Sequence, residues 1–600
     1  MTASAPIGNA IPDSDLACLN ALAGKVLWLS NWMIHNANHV RPNVDGLKVG
    51  GHQASSASMV AIMSALYFNV LNPEDRVAVK PHAAPVFHAI QYLLGNQSLE
   101  KLKDFRAFGG AQSYPSRTKD TDDVDFSTGS VGLGVAFTAF ASLVQDYVHA
   151  RHARPDLPPK GRMVALAGDA ELDEGNIYEC LLEGWKHGLT NAWWIIDFNR
   201  QSLDGVAREG LYERIRDIFS AFDWNVVTLK YGALQRAAFA EPGGERLRHF
   251  IDTCPNADYS ALMFQGGAAW RRRLMDEMGD QAEFSALLDR RSDDDLAHLM
   301  ANLGGHCISS LLEQFHAAPT DRPTAFIAYT VKGWGTPLAG HKDNHAGQMT
   351  AEQMERLREA LNVREGHEWD RFEGLEPGAE ELSEFLSRVP FGASGPRRRT
   401  APVVPGIGPR FIGTRPVSTQ MAFGRILDAI ARTDSELADH ILTASPDVTV
   451  STGLGPWVNR RHLFASREIA DVFQQENIPS TQKWRFTPRG QHFELGIAEM
   501  NLFLFLGAAG LAHSLFGQRI LPVGTLYDPF ISRGLDALNY ACYQDARFLL
   551  AGTPSGVSLA GEGGAHQSIA APLIGLSQDG LAAFEPAFAD ELAVLVDWAF

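Results

Sequence analysis

The chain has 600 residues, of which 45% are hydrophobic and 20% are charged, and this composition predicts a globular protein with several domains and a large core. Its formal net charge of −18 argues against nucleic acid and anionic membrane surfaces as partners. Five cysteines without paired or metal-type spacing are typical of a protein of the reducing cytoplasm.

The first part of the chain predicts alternating helices and strands. A glycine-rich turn at 129–134 opens an apolar helix, and its amide groups are candidates for phosphate contacts. Apolar stretches at 163–167 and 193–196 are each long enough for a buried parallel strand, and residues 171–187 between them have helical spacing. A further apolar strand is predicted at 324–329. This alternation is typical of a doubly wound α/β domain with a parallel sheet.

A linker and a second domain follow. The stretch 390–416 is rich in proline and glycine, a composition that cannot hold a helix or a central strand. After it, a helix is predicted to begin near Ser418, and the apolar run 501–516 predicts a buried helix rather than a membrane span. The predicted fold class is α/β, with two doubly wound parallel-sheet domains joined by a Pro/Gly-rich linker. The predicted limits are 15–388 for the first domain, 389–418 for the linker and 419–600 for the second domain.

The chemistry of the first domain is predicted from the ends of two strands. Asp169 follows the first apolar stretch, and Asn199 follows the second about thirty positions later. In an open parallel sheet these positions lie at the carboxyl ends of the strands, where ligands bind. Mg²⁺ prefers hard oxygen ligands, and the Asp169 carboxylate, the Asn199 amide and a backbone carbonyl near Gln201 supply such a set. The pattern predicts a site that binds Mg²⁺ and a diphosphate. The alternative is a structural role, in which Asp169 caps a turn and Asn199 simply ends a strand.

The run from Gly168 to Gly175, together with Asn199, resembles the thiamine-diphosphate motif, in which Gly-Asp-Gly is followed about thirty residues later by Asn. The segment 199–205 is more similar to homodimeric pyruvate dehydrogenase E1 components than to transketolases. The resemblance implies a first domain that binds the diphosphate, a second that binds the aminopyrimidine, and a homodimer. Ala170 departs from the family because it replaces the usual second glycine, and the usual third C-terminal domain is absent from this sequence. The implied cofactor-binding residues of the first domain are Gly168, Asp169, Ala170, Glu171, Asn199, Gln201 and Ser130, with Asp169, Asn199 and Gln201 as metal ligands.

In the second domain the segment 493–501 resembles the family segment with the catalytic glutamate, and Glu499 matches that position. A carboxyl group there must share a proton with N1′ of the aminopyrimidine, and a partly desolvated Glu with a raised pKa suits this task. Its apolar neighbours favour burial of Glu499 over exposure on a helix surface. Tyr527 and Phe530 match aromatic residues that pack on the pyrimidine, with ordinary core packing as the alternative. Asp447 resembles an acidic residue near the thiazolium, or caps a turn.

Five histidines lie in four segments that match active-site segments of the family. A 2-oxo acid needs hydrogen-bond donors for its carboxylate and ketone oxygen, and imidazole can donate or exchange a proton near neutral pH. His341 and His345 share a segment that resembles the mobile loop that closes over the substrate. Ser116 replaces a histidine that is common in the family, and Arg117 is a candidate replacement donor. The implied catalytic residues are Glu499, His52, His82, His345 and His566.

The resemblance implies a thiamine-diphosphate- and Mg²⁺-dependent E1 component. Such an enzyme decarboxylates a small, pyruvate-like 2-oxo acid oxidatively and transfers the acyl group to a lipoyl group on an acyltransferase (E2) partner. A transketolase-type sugar-phosphate transferase is the second hypothesis, and it needs a cluster of arginine and lysine for the substrate phosphate. A homologue with impaired catalysis, marked by Ala170 and the absent third domain, is the third. The chain is expected to act in the cytoplasm without nucleic acid or membrane partners.

Overall fold

The computed structural model describes residues 11–44, 46–47, 49–203, 205–392 and 397–600. Asp204, in the motif after Asn199, and residues 393–396, in the predicted linker, lie outside the described residues. The chain divides into two compact units. Unit 1 comprises Met1–Val131, Val164–Asp173 and Asn191–Gly395, and unit 2 comprises Gly132–Met163, Glu174–Thr190 and Pro396–Phe600. The limits 15–388, 389–418 and 419–600 for two continuous domains and a linker remain predictions.

Unit 1 is built on a five-stranded sheet, and two further short strands form an antiparallel hairpin. The strands are β1 (Arg76–Ala78), β2 (Met163–Gly168), β3 (Ala192–Phe198), β4 (Gln201–Ser202), β5 (Gly205–Val206), β6 (Asn225–Leu229) and β7 (Thr324–Tyr329). The order in the sheet is β1-β2-β3-β7-β6, and β7 pairs in parallel with both β3 and β6. The central strands β2, β3 and β7 are wholly buried, as expected for a sheet covered on both faces. The three strands predicted here are confirmed.

A large apolar core joins this sheet to its helices. Trp28 of the first helix, Ile195 of β3 and Phe326 of β7 belong to the same buried cluster. The helices of unit 1 are Asp13–His35, Gln53–Ala57, Val60–Ala65, Ala84–Leu94, Leu99–Lys103, Leu211–Ala221, Ala233–Phe239, Gly244–Thr253, Asn256–Gln265, Gly267–Met278, Ala282–Asp289, Asp293–Ala301, Ile308–Ala317, Ala351–Ala360 and Ala379–Ser387, with two short π-helices at Asn36–Val40 and Leu66–Val70. Tight 3-10 turns lie at Pro81–Ala83, Asp169–Asp173, Gly304–His306 and Pro390–Gly392.

Unit 2 contains a second sheet, of six strands. These are β8 (Ile441–Pro446), β9 (Leu463–Phe464), β10 (Phe486–Thr487), β11 (His492–Leu495), β12 (Leu521–Tyr527) and β13 (Leu549–Thr553). The order is β10-β9-β11-β8-β12-β13, and every neighbouring pair is parallel. The predicted α/β fold class with parallel sheets is therefore confirmed.

The helix Glu499–Gly510 is the buried centre of unit 2. A Cβ atom placed on Gly507 would lie 2.9 Å from Phe137, so the helix Leu133–Arg151 approaches closely at this glycine. The helix predicted near Ser418 is present, and the Ser418 side chain accepts a hydrogen bond from the Met421 amide at its start. The helices of unit 2 are Leu133–Arg151, Gly175–Lys186, Thr419–Ala431, Glu436–His440, Gly455–Arg461, Val472–Gln475, Glu499–Gly510, Ala512–Leu515, Leu535–Tyr543, Ala571–Ser577 and Ala589–Ala599, with 3-10 turns at Asp528–Gly534, Ala560–Glu562 and Gly564–His566. Within the described ranges, none of the helices combines the length and the apolar character that crossing a membrane requires.

The helix predicted over 171–187 begins later than expected. Residues Asp169–Asp173 form a 3-10 turn, and the α-helix covers Gly175–Lys186. The Glu171 carboxylate accepts from the Gly168 amide at 3.0 Å, and the Asp169 carboxylate accepts from the Ala170 amide at 2.9 Å. Such local bonds from side chain to backbone compete with helical hydrogen bonds, which explains the tight turn.

Unit 1 buries an ion pair between His88, on the helix Ala84–Leu94, and Asp122. His88 Nδ1 donates to the Asp122 carboxylate at 2.7 Å, and Nε2 donates to the backbone oxygen of Gln112 at 3.0 Å. Two donating ring nitrogens require the imidazolium form. Burial by itself lowers the pKa of an imidazole, but the Asp122 carboxylate outweighs it and raises the pKa of His88 to about 9.

This pair is expected to make the protein less stable at alkaline pH. Because an unfolded imidazole has a pKa of about 6.5, the folded chain holds an extra proton between that pH and 9. The stabilisation, on the order of 3 kcal/mol, is present in full below about pH 6.5 and is lost as the pH rises through 9. The wild-type melting temperature should fall more steeply between about pH 7 and 9.5 than that of Asp122→Asn. Parallel falls in thermal scans of the two proteins would contradict this assignment.

Candidate active site

In unit 1 the ends of β2 and β3 are joined by the side chains that follow them. Asp169 accepts a hydrogen bond from the Arg200 amide at 2.8 Å, and the Asn199 side-chain oxygen accepts from the Gln201 amide at 2.9 Å. Asp169, Asn199 and Gln201 are all buried. The thirty-residue spacing thus brings the Asp169 carboxylate and the Asn199 carboxamide to one edge of the sheet, with the main chain at Gln201 beside them. Their role as metal ligands remains a prediction.

The Asp169 carboxylate has no cation bonded to it among the described residues. Burial and the neighbouring Asp197 carboxylate raise the pKa of Asp169 to about 7, against the effect of its hydrogen bonds from backbone amides. The side-chain oxygen of Gln201 is buried without a hydrogen-bond partner, while its nitrogen donates to the backbone oxygen of Gly340 at 3.2 Å. A buried carboxylate and neutral oxygen atoms form the donor set that Mg²⁺ prefers.

Ala170 does not distort the turn. Its backbone lies in a 3-10 turn and is not among the positions with positive φ, so a side chain is tolerated there. Gly168 is tightly enclosed, since a Cβ atom there would lie 3.3 Å from the Lys80 side chain. Ser130 is half-buried in the turn before the helix Leu133–Arg151, and its contact with a phosphate remains a prediction.

Three of the predicted histidines form one cluster in unit 1. The ring centroids of His52 and His82 are 4.2 Å apart, and His345 lies 5.0 and 5.4 Å from them. His52 Nδ1 donates to the backbone oxygen of His345 at 3.0 Å. Burial and the neighbouring imidazoles and Lys80 lower the pKa of His82 to about 2, and burial also lowers the pKa of His52. These two imidazoles are therefore neutral at physiological pH.

Two other candidates lie elsewhere. The His341 ring packs on Phe264 at 4.6 Å, and its Nδ1 accepts from the Asp343 amide, so His345 is the histidine of this loop that joins the cluster. The role of Arg117 as a replacement donor to substrate remains a prediction. The buried Arg117 guanidinium donates to the backbone oxygen of Asp125 at 2.8 Å.

Two lysines near the histidine cluster and the Asp169 turn, Lys332 and Lys80, were not predicted from the sequence as site residues. Lys332 Nζ lies 3.4 Å from His345 Nδ1 and donates to the backbone oxygen of Leu203 at 3.0 Å. Lys80 forms a buried ion pair with Asp197. The signal that could have found them is a charged residue inside an apolar strand, such as Asp197 after Trp193–Ile196, because a buried charge requires a partner.

In unit 2 the predicted catalytic glutamate is buried. Glu499 is 4% exposed at the start of its helix, and its two carboxylate oxygens lie 3.1 and 3.0 Å from an Arg533 nitrogen. The segment before it is held by Glu183, which accepts from the Gly496 amide at 2.9 Å. The Asn501 side chain donates to the backbone oxygen of Glu179 at 3.2 Å. These contacts position the carboxylate at the edge of an apolar core.

The aromatic candidates of unit 2 are grouped around His566. Its ring centroid lies 5.4 Å from both Tyr527 and Phe530, with steep angles between the rings. The Arg533 guanidinium lies 5.4 Å from the Phe530 ring, so this group is continuous with Glu499. Asp447 is exposed directly after β8 with a backbone φ of +60°, an uncommon conformation for a residue other than glycine.

Comparison with known families assigns both parts of the chain. Residues 47–238 match the model for "Transketolase, thiamine diphosphate binding domain", and residues 411–600 match the model for "Pyruvate dehydrogenase E1 component middle domain". The first match defines a protein of the thiamine-diphosphate-binding class. Together with the relatives below, the two matches support a family of thiamine-diphosphate-dependent enzymes that comprises pyruvate dehydrogenase E1 components and transketolase-like proteins.

Relatives of the chain include pyruvate dehydrogenase E1 components. The chain is 27% identical to the pyruvate dehydrogenase E1 component of Pseudomonas aeruginosa, over 98% of this chain and 69% of that protein. It is 26% identical to the component of Mycobacterium tuberculosis, over 95% of this chain and 64% of that protein. The chain therefore spans about two thirds of the length of these relatives.

Similar solved structures include transketolases. A transketolase variant from Pichia stipitis has a TM-score of 0.64 at 17% identity, covering 97% of this chain and 75% of the other. The transketolase of Campylobacter jejuni has a TM-score of 0.62 at 19% identity, covering 97% and 76%. At this identity the likeness shows a shared fold.

Proposed function

We propose that the chain carries the catalytic part of an E1-type 2-oxo-acid dehydrogenase. It would act in the cytoplasm as a homodimer, with thiamine diphosphate and Mg²⁺, on a small, pyruvate-like 2-oxo acid. The acyl group would pass to a lipoyl group on an E2 acyltransferase. The single observation that supports this best is the cluster of His52, His82 and His345 beside the buried Lys332, because it offers imidazoles and an ammonium to a small anion with a ketone.

The residues of unit 1 fit the metal and the diphosphate end of the cofactor. Asp169, Asn199 and the main chain near Gln201 would hold Mg²⁺ through oxygen atoms. Gly168, Ala170 and Glu171 form the turn at the end of β2 and would lie beside the diphosphate. Bound thiamine diphosphate supplies the nucleophilic carbon and the electron sink for decarboxylation.

The residues of unit 2 fit the aminopyrimidine end. Glu499 would hold a proton at N1′ of the aminopyrimidine, a task for which a buried carboxyl group is suited. Tyr527 and Phe530 would pack on the ring, and His566 between them would donate to substrate. Asp447 would act near the thiazolium. In unit 1 the neutral His82 would donate to the ketone oxygen. His52, whose Nδ1–H is bound to the backbone oxygen of His345, would accept a proton at Nε2, with His345 beside them.

Ketol transfer between sugar phosphates is the second candidate. The solved structures of similar fold that favour it are transketolases. The third hypothesis, impaired catalysis, was based partly on Ala170. Ala170 no longer supports that hypothesis, because its backbone conformation is compatible with the turn.

The test is reduction of an artificial electron acceptor, dependent on 2-oxo acid, by the purified chain with thiamine diphosphate and Mg²⁺. Pyruvate, 2-oxobutyrate and a branched 2-oxo acid are compared, beside a ketose-phosphate transfer assay. Acceptor reduction supports the E1 reaction and ranks the substrates. Ketol transfer without acceptor reduction would move the chain to the transketolase reaction. Cofactor binding without either activity would contradict both.

Lys332→Met is expected to raise the KM for the 2-oxo acid by about 10- to 100-fold, the value of a hydrogen bond to a charged group. The Lys332 ammonium is buried beside His345, where a substrate carboxylate would gain most from a cation. Lys342→Met is the matched control, because Lys342 lies in the same loop but is exposed and paired with Asp343. Steady-state kinetics measure both variants. Equal KM values for wild type and Lys332→Met would exclude this role.

A further inference from the structure

Lys80 and Asp197 form a buried ion pair next to the candidate metal ligands. Lys80 Nζ lies 2.6 Å from Asp197 Oδ2, and the two side chains are 5% and 0% exposed. Lys80 precedes the 3-10 turn Pro81–Ala83, and Asp197 lies in β3 two positions before Asn199. The pair thus belongs to the edge of the sheet where Asp169 and Asn199 meet.

Asp197 has enough hydrogen-bond donors without Lys80. Its Oδ2 also accepts hydrogen bonds from the Ser58 hydroxyl at 2.6 Å and from the side-chain nitrogen of Asn199 at 3.2 Å. Its Oδ1 accepts from the Thr330 hydroxyl. A carboxylate that is this well satisfied does not by itself explain why a lysine is buried beside it.

Lys80 is the under-satisfied member of the pair. An ammonium has three N–H donors, and Asp197 is the one acceptor for them within the described ranges. Its Nζ lies beside the turn after β2, because a Cβ atom placed on Gly168 would be 3.5 Å from it. Buried donors without acceptors are costly, so the remaining donors point to a ligand with oxygen acceptors.

Carboxylates outnumber the one ammonium at this edge, so an anionic ligand depends on positive charges there. Three carboxylates lie near the Lys80 ammonium, those of Asp197, Glu171 and Asp169. Burial by itself lowers the pKa of Lys80, but these carboxylates outweigh it and raise that pKa. A diphosphate ester carries at least two negative charges. A Mg²⁺ ion that is also bound by the Asp169 carboxylate has one positive charge left, so it neutralises only part of the ester's charge. The ammonium of Lys80 adds a second positive group beside the Mg²⁺ ion.

We propose that Lys80 is a diphosphate-binding residue, held in place by Asp197 and donating to a phosphoryl oxygen of a Mg²⁺-bound diphosphate ester. The inference rests on the proposed function and adds a residue and a charge to its binding site. Lysine binds phosphate as a point charge, without the planar fork of arginine, which suits an ammonium fixed by one partner. Asp197 is then a positioning residue, and Lys80 is the group that contacts the cofactor.

The test is calorimetric titration of the full chain with thiamine diphosphate at a fixed Mg²⁺ concentration. Lys80→Met is expected to weaken binding by about 10- to 100-fold. Lys25→Met is the matched control, because Lys25 is also a buried lysine of unit 1 but donates to the backbone oxygen of Glu373. Its affinity should stay within about twofold of wild type. Thiamine, which lacks the phosphates, should not distinguish Lys80→Met from wild type.

A double variant separates binding from a structural role. If Lys80 only neutralises Asp197, Lys80→Met with Asp197→Asn should regain the wild-type affinity, and that result would overturn the proposal. If Lys80 binds the diphosphate, the double variant stays as weak as Lys80→Met. Lys80→Gln, which keeps a donor to Asp197 without the charge, replaces Lys80→Met if circular dichroism shows that the latter is unfolded.

The outcome for the wild type distinguishes this proposal from the proposed function. A wild-type chain that does not bind thiamine diphosphate contradicts both. A wild type that binds the cofactor and reduces the acceptor, beside a Lys80→Met variant of equal affinity, contradicts the role of Lys80 alone.

Discussion

Glu499→Gln is expected to lower turnover of the 2-oxo acid by about 10²- to 10⁴-fold, the range for loss of a positioned acid–base group. Glutamine fills the same buried space at the start of the helix Glu499–Gly510 but cannot exchange a proton with the aminopyrimidine. Affinity for thiamine diphosphate should change far less than turnover. Acceptor-reduction kinetics and calorimetric titration of the same preparation measure the two quantities separately.

Glu436→Gln is the control for this experiment. Glu436 also begins a helix, Glu436–His440, and is exposed, so its replacement removes a comparable charge from a helix N-terminus without touching the candidate site. Its turnover should equal that of wild type. Full activity in Glu499→Gln, or an equal loss in the control, would remove Glu499 from the reaction.

Asp169→Asn is expected to weaken Mg²⁺-dependent binding of thiamine diphosphate by about 100-fold or more, with a matching loss of turnover below saturation. Even outer partners of a metal site are worth about 10- to 100-fold in affinity, and a ligand should be worth at least as much. Asparagine has one side-chain oxygen, so it keeps one of the two hydrogen bonds that the Arg200 and Ala170 amides donate to the separate Asp169 oxygens, and the charge is lost. Titration with and without Mg²⁺ measures the effect.

The control for this variant is Asp173→Asn. Asp173 is an exposed aspartate of the same 3-10 turn, Asp169–Asp173, so it tests for a general effect of charge near the site. Its Mg²⁺-dependent affinity should stay at the wild-type value. If Asp169→Asn retained a full response to Mg²⁺, the metal would have to be held by other residues.

Much of the fold could be predicted from local patterns. The strands β2, β3 and β7 are short apolar runs, and such runs in an alternating chain predict a buried parallel sheet. Ser418 signals a helix start because its side chain can bond to the amide of Met421. The burial of Glu499 is also predictable, because its apolar neighbours place it on a core helix.

Other features of the fold and the site could not be predicted from these local patterns. The 3-10 turn Asp169–Asp173 replaces the first turn of a predicted helix because side-chain oxygens bond to backbone amides, a choice that helical spacing does not reveal. Local patterns also cannot show that Arg533 pairs with Glu499. Nor can they distinguish His341 from His345, since both lie in one loop and only the folded chain places His345 at the cluster.

The α/β class and the role of the Asp169–Asn199 spacing follow from local sequence, because strand burial and the length of one crossover helix act over short stretches of chain. Which charged side chains pair with each other depends on the tertiary structure. Lys80 and Asp197 are far apart in the sequence, and Lys332 reaches His345 only after the loop has folded back. Buried charges require partners, but packing of the whole unit determines which partner is within hydrogen-bond distance.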